Sequence, residues 1–279
     1  LRDEKVINHI AEIYEKEGSD CWFTDDPQRF LGKDHNSSDY IQLKDIVEVW
    51  FDSGSTHSFV LESRKDLKWP ADMYLEGSDQ HRGWFHSSLL ESCGTRGKAP
   101  FKSILSHGFV VDGKGMKMSK SAGNVISPDD ILKNFGADIL RVWVTASDYA
   151  EDLRIDKTIL NQHAESYRKI RNTFRFILGN IKDNFQKIDL EDVKTRDLPE
   201  LERYILHKVY SLNEKYKENL KNYNFHKLYK ELLNFCTLDL SSFYFDIRKD
   251  VLYCDSLNSK KRKDCVIVLN ILLECLLKW

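Results

Sequence analysis

The chain has 279 residues, of which 41% are hydrophobic and 31% charged, a composition typical of one large or two modest globular domains with a highly charged surface. Its net charge of −2 is uneven, because residues 1–150 carry 18 Lys and Arg against 24 Asp and Glu, whereas residues 151–279 carry 24 against 20. This balance excludes the acidic first half as a generic nucleic-acid binder, and no apolar run approaches the roughly 18 residues that a membrane span requires.

The first hundred residues predict a segment of sheet with a crossover helix. Residues 6–14 have helical spacing, and residues 21–45 indicate a loop with short strands. The Val- and Ile-rich residues 45–51 predict a strand, and residues 73–75 predict a second strand that ends at Glu76-Gly77. Residues 80–93 have apolar side chains at helical spacing.

The next fifty residues continue the alternation of strand and helix. Residues 104–111 predict a strand that is interrupted at His107-Gly108. A helix begins after Ser127, a good cap, with Pro128 at its first position and Gly136 at its end. Strand–helix–strand order of this kind favours a parallel sheet with crossover helices.

The periodicity changes at about residue 156. Four apolar stripes at three- to four-residue spacing predict four helices, carried by Leu160 to Ile181, Leu201 to Tyr216, Phe225 to Leu238 and Val266 to Leu276. Polar residues 186–198 separate the first stripe from the second, and polar residues 250–264 separate the third from the fourth. We therefore predict two domains, residues 1–147 with the parallel sheet and residues 148–279 as an antiparallel helical bundle.

Cysteine use gives no sign of a metal or disulfide site. The six cysteines have no CxxC pair and lie at Cys21, Cys93, Cys236, Cys254, Cys265 and Cys275. This spacing excludes the common zinc motifs and a disulfide framework, so we expect reduced thiols in a cytoplasmic protein.

Three motifs carry the chemistry of the chain. Lys114, Lys117 and Lys120 recur every three residues on a glycine-flanked loop, where cations can close over a polyphosphate; a solvated basic loop is the plainer alternative. The letters KMSKS stand intact at 117–121, YLEGSDQHRGWF at 74–85 and VWFDSGSTH at 49–57. Together they resemble class I aminoacyl-tRNA synthetases, and the segment at 74–85 favours the bacterial isoleucyl type over the valyl and leucyl relatives.

The resemblance implies a fold and a reaction. It implies the second half of a Rossmann-like catalytic domain followed by an anticodon-binding bundle. The reaction would be isoleucine–tRNA ligation: ATP with Mg²⁺ activates isoleucine to the adenylate, which is transferred to tRNA(Ile). A valyl-type synthetase and a stand-alone tRNA-binding module derived from a synthetase remain alternatives.

The resemblance also implies the site residues. Lys117 and Lys120 would be catalytic, and Trp50 and Trp84 would line the amino-acid pocket, although either tryptophan alone would be read as a core residue. The ATP- and adenylate-binding set would be Glu76, Gly77, Asp79, Gln80, His107, Gly108, Phe109, Met118, Ser119, Lys120 and Ser121. We expect Glu76, Asp79, Gln80 and Lys120 to converge on one cleft with Trp84 at its floor.

The remaining expectations concern partners and completeness. Basic residues on one predicted helix are weak candidates for tRNA contacts, although a solvated charged face explains each one equally well: Arg168, Lys169, Arg171 and Arg175. The chain starts at Leu1 and ends at Trp279 within an apolar pattern, so we expect a piece of a longer protein. We expect the full-length protein to be monomeric and to bind no membrane. The resemblance implies a zinc site that lies outside this chain. We expect the piece alone to be inactive, with Leu272, Leu273, Leu276 and Leu277 exposed.

Overall fold

The computed structural model describes residues 1–181, 193 and 196–279, most of which are helical. The α-helices are α1 (Glu4–Glu17), α2 (Cys21–Thr24), α3 (Gln28–Leu31), α4 (Val49–Gly54), α5 (Trp84–Arg96), α6 (Pro128–Phe135), α7 (Ala137–Ala146), α8 (Lys157–Ile181), α9 (Glu200–Lys221), α10 (Phe225–Asn234), α11 (Asp246–Cys254) and α12 (Lys260–Lys278). The strands are β1 (Tyr74–Gly77), β2 (Ile104–His107), β3 (Val110–Asp112) and β4 (Leu153–Ile155). Two 3₁₀-helices (Ser37–Asp39, Ser78–Arg82) and two π-helices (His57–Glu62, Phe235–Phe245) complete the described elements.

The described residues form two compact units. Unit 1 comprises Leu1–Tyr74 and Asp79–Ser103, and unit 2 comprises Leu75–Ser78 and Ile104–Trp279. Each unit has its own buried apolar residues, which are few in unit 1 and many in unit 2.

Unit 1 is more helical than the sequence predicts. The strand predicted over residues 45–51 is wrong, because α4 begins at Val49. The Glu48 carboxylate accepts a hydrogen bond from the Trp50 N–H at 2.7 Å and caps this helix, and Asp52 lies in its first turn. Capping and a favourable charge at the helix start outweigh the β-propensity of the valines and isoleucine. Short helices α2 and α3 likewise replace the short strands expected between 21 and 45.

Unit 2 contains two small sheets. Strand β1 pairs with β2, and β3 pairs in parallel with β4 from Val110–Leu153 to Asp112–Ile155. Helices α6 and α7 lie between β3 and β4 in the chain, so a helical crossover connects this parallel pair. The strands predicted near 74 and at 104–111 are confirmed, and so is the interruption after His107. Strand β4 was not predicted, since it is three residues long with a charged residue at its centre.

The predicted start of α6 is confirmed in detail. The Ser127 hydroxyl accepts a hydrogen bond from the Asp129 N–H at 3.2 Å, and Pro128 occupies the first helical position. Gly136 follows the helix at a φ of +83°, a conformation that favours glycine.

The bundle is built from α8, α9, the continuous helical segment 225–254 and α12. Its core includes residues from all of these helices, among them Ile177, Ile205, Leu240 and Leu269, each fully buried. The predicted interior position of Leu238 is wrong, because its side chain is 61% exposed. The π-helix Phe235–Phe245 contains this residue and interrupts the 3.6-residue spacing on which the prediction depended.

The last helix corrects two further expectations. Leu272, Leu273 and Leu276 are buried in the bundle core, and of the four leucines expected to be exposed only Leu277 is so, at 69%. The predicted linker 250–264 is shorter than expected, because α11 continues to Cys254 and α12 begins at Lys260. Most of the other predicted linker, 186–198, lies outside the described residues.

One buried ion pair joins two bundle helices. Both carboxylate oxygens of Glu202 on α9 accept hydrogen bonds at 2.6 Å from the Arg248 guanidinium on α11. Glu202 is fully buried and Arg248 is 7% exposed. The Tyr244 hydroxyl donates to the same carboxylate at 3.4 Å. Because the pair is shielded from water, removing one partner would leave a buried charge uncompensated.

Candidate active-site residues

Trp84 is held rigidly at the start of α5. Its ring stacks on Tyr74 with centroids 4.1 Å apart and planes 4° apart, and its Nε1–H donates to the Ser53 carbonyl at 2.9 Å. The Trp84 backbone N–H donates to the Gln80 side-chain oxygen at 3.0 Å. Burial raises the pKa of Tyr74, whose hydroxyl is 3.2 Å from the Ser88 hydroxyl. The half-buried indole therefore has one orientation, set by groups on three elements.

Trp50 lies beside Trp84 in unit 1, on α4. Its ring is 41% exposed and rests against the backbone of Gly83. A methyl group at Gly83 would come within 3.0 Å of the Trp50 ring and 2.6 Å of the Gln80 side-chain oxygen. Gly83 is therefore the residue that permits the two tryptophan-bearing helices to approach here. Two large apolar rings, one of them open to solvent, are suited to contact an apolar ligand.

The polar residues after β1 divide between the two units. Glu76 is exposed and Gly77 buried in unit 2, whereas Asp79 is exposed and Gln80 half-buried in unit 1. The Gln80 amide donates to the Asp79 carboxylate at 2.9 Å, while its oxygen accepts from Trp84. Gln80 thus orients both the Asp79 carboxylate and the backbone of Trp84. The convergence of these residues with Lys120 stays a prediction.

The His107-Gly108-Phe109 segment lies where β2 ends. A methyl group at Gly108 would come within 2.4 Å of the Glu151 carbonyl oxygen, so the protein's own backbone fills the space beside this glycine. The Phe109 N–H donates to the Asp152 carboxylate at 2.8 Å, and the Phe109 ring is 49% exposed. His107 is half-buried, with Nδ1 2.8 Å from the Gly108 carbonyl. The contact of this segment with adenine stays a prediction.

The KMSKS loop, here residues 112–124, begins directly after β3. It opens with a tight hairpin, in which Val111 and Lys117 form an antiparallel bridge. The Asp112 carboxylate accepts hydrogen bonds from the Lys114 N–H at 3.0 Å and the Met116 N–H at 2.8 Å. Gly115 has a φ of +84° at the hairpin tip. Glycine suits this position because an L side chain there is strained.

Asn124 closes the loop from its far end. Its side-chain oxygen accepts from the Ser119 N–H at 2.9 Å, and its amide donates to Asp112 Oδ2 at 2.9 Å and to the Lys117 carbonyl at 3.3 Å. The hydrogen bonds from Asn124 and from the Met116 N–H hold the pKa of Asp112 below its usual value. Asx side chains before and after glycine-rich turns are the signal that would have identified this pair in the sequence.

The predicted contact residues of the loop differ in their surroundings. Lys117, Lys120 and Ser121 are exposed, and the Ser119 and Ser121 hydroxyls lie 3.2 Å apart. Met118 instead packs against the apolar cluster of Ile131, Ile139, Trp143, Leu153, Ile155 and Leu160. The loop therefore has an apolar side that fastens it to unit 2 and a polar side that presents two cations and two hydroxyls.

The four basic candidates on α8 are all exposed. Arg168 forms a salt bridge with Glu165 one turn earlier, and Lys169, Arg171 and Arg175 lie on the solvent-accessible part of the same helix. A surface pair of this kind contributes little to stability, so these side chains are available to an anionic partner.

Two searches cover the described ranges 1–181, 193 and 196–279. Within them, no group of three or more His, Cys, Asp or Glu side chains is arranged to hold a metal ion. In the same ranges, no helix has the combined length and hydropathy to cross a membrane.

Comparison with known proteins covers both halves of the chain. Residues 1–156 match the family model described as tRNA synthetases class I (I, L, M and V), and residues 202–279 match the anticodon-binding domain of tRNA ligase. The isoleucine–tRNA ligase of Pelagibacter ubique is 72% identical over all of this chain, which corresponds to 31% of that protein. The isoleucine–tRNA ligase of Mesorhizobium japonicum is 52% identical over all of this chain and 28% of its own length. The chain thus spans about three tenths of these relatives.

Solved structures support the fold. The LeuRS of Agrobacterium radiobacter K84 in its ternary complex with tRNA and LeuAMS has a TM-score of 0.66 at 17% identity, over 84% of this chain and 30% of that one. Methionyl-tRNA synthetase of Mycobacterium tuberculosis with methionyl-adenylate has a TM-score of 0.64 at 16% identity, over 82% and 46%. The predicted fold class, an α/β parallel-sheet half followed by a helical bundle, is confirmed.

Proposed function

The chain belongs to the class I tRNA synthetases of the I, L, M and V group, and from that premise we propose that it is part of an isoleucine–tRNA ligase. The KMSKS loop carries this proposal, because its ordered backbone presents Lys117 and Lys120 to solvent. The two relatives with that name, identical at 72% and 52% of positions, support isoleucine over valine, and they also disfavour a stand-alone tRNA-binding module.

The reaction begins with activation of the amino acid. The isoleucine carboxylate attacks the α-phosphate of ATP, a P–O bond forms, and the bond to the leaving pyrophosphate breaks. Negative charge grows on the transferred and leaving groups, and cations fixed near them lower the barrier. Lys117 and Lys120 supply those cations, and the Ser119 and Ser121 hydroxyls donate hydrogen bonds to phosphate oxygens. Mg²⁺ enters with the phosphates of ATP, which are its preferred ligands here.

The other predicted residues hold the adenylate. Glu76 pairs with the substrate ammonium, and Asp79, oriented by Gln80, accepts hydrogen bonds from ribose. Trp50 and Trp84 contact the isoleucine side chain. The support is the fixed geometry of Trp84, since an indole held by stacking and a hydrogen bond loses little freedom when ligand binds.

The remaining members of the predicted adenylate-binding set lie at the end of β1, at the end of β2 and in the KMSKS loop. Gly77, at the end of β1, gives the ligand close access to the backbone. His107, Gly108 and Phe109 border the adenine, and Met118 holds the loop by packing against the apolar cluster of unit 2.

The bundle provides the tRNA-binding part. We assign residues 1–147 to the second half of the catalytic domain and residues 148–279 to anticodon binding, which the family match over 202–279 supports. Four exposed basic residues of α8 contact phosphates of tRNA(Ile): Arg168, Lys169, Arg171 and Arg175. All six thiols are free, which supports a cytoplasmic enzyme, and we expect the full-length protein to act as a monomer.

Amino-acid-dependent exchange of pyrophosphate into ATP by the full-length protein tests the proposal. We expect isoleucine to be preferred over leucine and methionine by a wide margin. Valine is expected to be used less well, since one buried methylene is worth about 0.8 kcal/mol. Exchange driven better by valine or leucine would contradict the assignment. The resemblance to class I synthetases implies a second signature at the ATP site, with the letters HIGH, and these letters are not in this sequence. The 279-residue chain alone should therefore not support exchange.

A further inference from the structure

Asp112 and Asn124 stand at the two ends of the KMSKS loop and are bonded to each other. Their side chains meet at 2.9 Å although they are 12 residues apart in the chain. Each also binds the loop backbone: Asp112 accepts from Lys114 and Met116, and Asn124 accepts from Ser119. An ordinary turn residue bonds to a backbone group two to four residues away. This pair instead fastens the beginning of the loop to its end.

The pair treats the two catalytic lysines differently. Lys117 is fixed directly, because its residue bridges Val111 and its carbonyl accepts from Asn124. Lys120 lies in a turn closed by the Gly123 N–H, which donates to the Lys120 carbonyl at 3.2 Å. Both flanks of that turn depend on Asn124, which binds Ser119 on one side and follows Gly123 on the other. The position of Lys120 is therefore set by the pair without direct contact.

We propose that Asp112 and Asn124 are positioning residues for Lys120 in isoleucine activation, an inference that rests on the proposed function. By closing the base of the loop, the two residues hold the turn that carries Lys120. The loop backbone is then already ordered when the Lys120 ammonium binds the phosphates. Ordering the loop during the reaction would otherwise raise the barrier.

An exchange of the two side chains tests the pair, with all variants made in the full-length protein. Asp112→Asn brings two amide groups face to face, and Asn124→Asp brings two carboxylates together. The double variant Asp112→Asn/Asn124→Asp restores the bond with its polarity reversed and keeps the oxygens that accept from Met116 and Ser119. It does not restore the bond to the Lys117 carbonyl, because a carboxylate at position 124 has no amide to donate. Asn134→Asp is the matched control, since Asn134 is an exposed residue of α6 that bonds only to a local carbonyl among the described residues.

Two measurements are made on each variant. In isoleucine-dependent pyrophosphate exchange, we expect each single variant to lower kcat by roughly ten- to a hundredfold, the range for losing a hydrogen bond to a charged group. The KM for isoleucine and the Tm should stay near those of the unchanged protein, and the double variant should recover part of kcat, since the bond to the Lys117 carbonyl is still missing. Amide hydrogen exchange should show faster exchange at Met116 and Ser119 in the single variants and recovery in the double variant.

The outcomes separate the two proposals. Unchanged kcat in both single variants, or a double variant no better than the worse single one, would overturn the positioning role. A lower kcat accompanied by a clear fall in Tm would also overturn it, since general destabilisation of the protein would then explain the lower rate. If the unchanged protein shows no isoleucine-dependent pyrophosphate exchange, the proposed function is wrong. If the Met116 and Ser119 amides of the unchanged protein are not protected from hydrogen exchange, the role of Asp112 and Asn124 in ordering the loop is wrong.

Discussion

The KMSKS loop and the helical bundle each depend on a carboxylate that joins distant parts of the chain. In the loop, Asp112 lies partly exposed and binds backbone N–H groups and an amide. In the bundle, Glu202 is fully buried and binds Arg248, 46 residues away, through two charged hydrogen bonds. The chemistry of the acceptor is the same in both regions, but its access to water differs.

Access to water decides what each carboxylate does. Water can take the place of a lost partner of Asp112, so breaking one of its hydrogen bonds costs only a few kcal/mol at most. A separated Glu202 and Arg248 would each remain as a buried, unsolvated charge, so that pair breaks only when the helices part. The partly exposed carboxylate therefore orders one loop at a modest free energy, whereas the buried ion pair contributes to holding the bundle together.

The largest effect is expected in the bundle. Glu202→Ala should lower the free energy of opening of the bundle by about 3–5 kcal/mol, since Arg248 is left buried and unpaired. Hydrogen exchange of core amides in α9 and α12 measures this quantity in the full-length protein. The control Glu165→Ala removes the exposed pair with Arg168 and should change it by less than about 1 kcal/mol. Equal effects of Glu202→Ala and Glu165→Ala would contradict the claim that the buried ion pair stabilises the bundle more than the exposed one.

The next effect concerns the lysines of the loop. Lys120→Ala should lower the rate of pyrophosphate exchange by about 10²–10³-fold, the loss seen when one stabilising group is removed from a transition state. The KM for isoleucine should change little, since the role proposed for Lys120 is to stabilise charge on the phosphates in the transition state and not to bind the amino acid. The companion variant Lys117→Ala tests the other cation. A rate unchanged by Lys120→Ala would remove the role assigned to it.

A smaller effect is expected in the pocket. Trp84→Phe keeps an aromatic ring on Tyr74 but loses the hydrogen bond to the Ser53 carbonyl. We expect the KM for isoleucine to rise by about 2–10-fold, which corresponds to one hydrogen bond, with less change in kcat. Trp22→Phe is the matched control, because Trp22 Nε1 also donates to a backbone carbonyl, that of Leu43. A similar rise in the control would mean that the effect is not local to the pocket.

The smallest effect is a pH dependence of the loop. The pKa of Asp112 is held below its usual value in the folded protein, chiefly by Asn124, so its stabilising contribution is complete above the unfolded pKa of about 4. It is lost as the pH falls through the lowered folded pKa. Protection factors at Met116 and Ser119 should therefore be constant from pH 6 to 8 and decline only in acid. A decline near pH 6 would indicate that another group controls the loop.

Local signals in the sequence predicted much of the fold. Ser127 and Pro128 gave the start of α6, and the four apolar stripes gave the bundle, because caps and helical spacing act within a few residues. The strand prediction for residues 45–51 was wrong because the valines and isoleucine there indicate a strand more strongly than Glu48 indicates a helix cap. The prediction that Leu238 is buried was wrong because a π-helix changes the spacing without any sequence signature.

The candidate site was predictable where it matched a motif and not where it depended on distant partners. Lys117, Lys120 and Trp84 stand in motifs that name them. The supporting roles of Asp112 and Tyr74 were not predicted, since the first acts through Asn124, 12 residues on, and the second through a ring stacked from α5. Such contacts are created by folding, so only the structure shows which residues support the motif.

The distribution of thiols makes the two units separately addressable by chemical labels. Cys93 is exposed on α5 in unit 1, and Cys254 is exposed at the end of α11 in unit 2. Burial raises the pKa of Cys236 and Cys265 to about 11, so only about a thousandth of each is thiolate at pH 8. A maleimide probe would therefore attach first to one site in each unit. Dipolar spectroscopy on paramagnetic probes at these two sites of the 279-residue chain would then measure the distance between the two units.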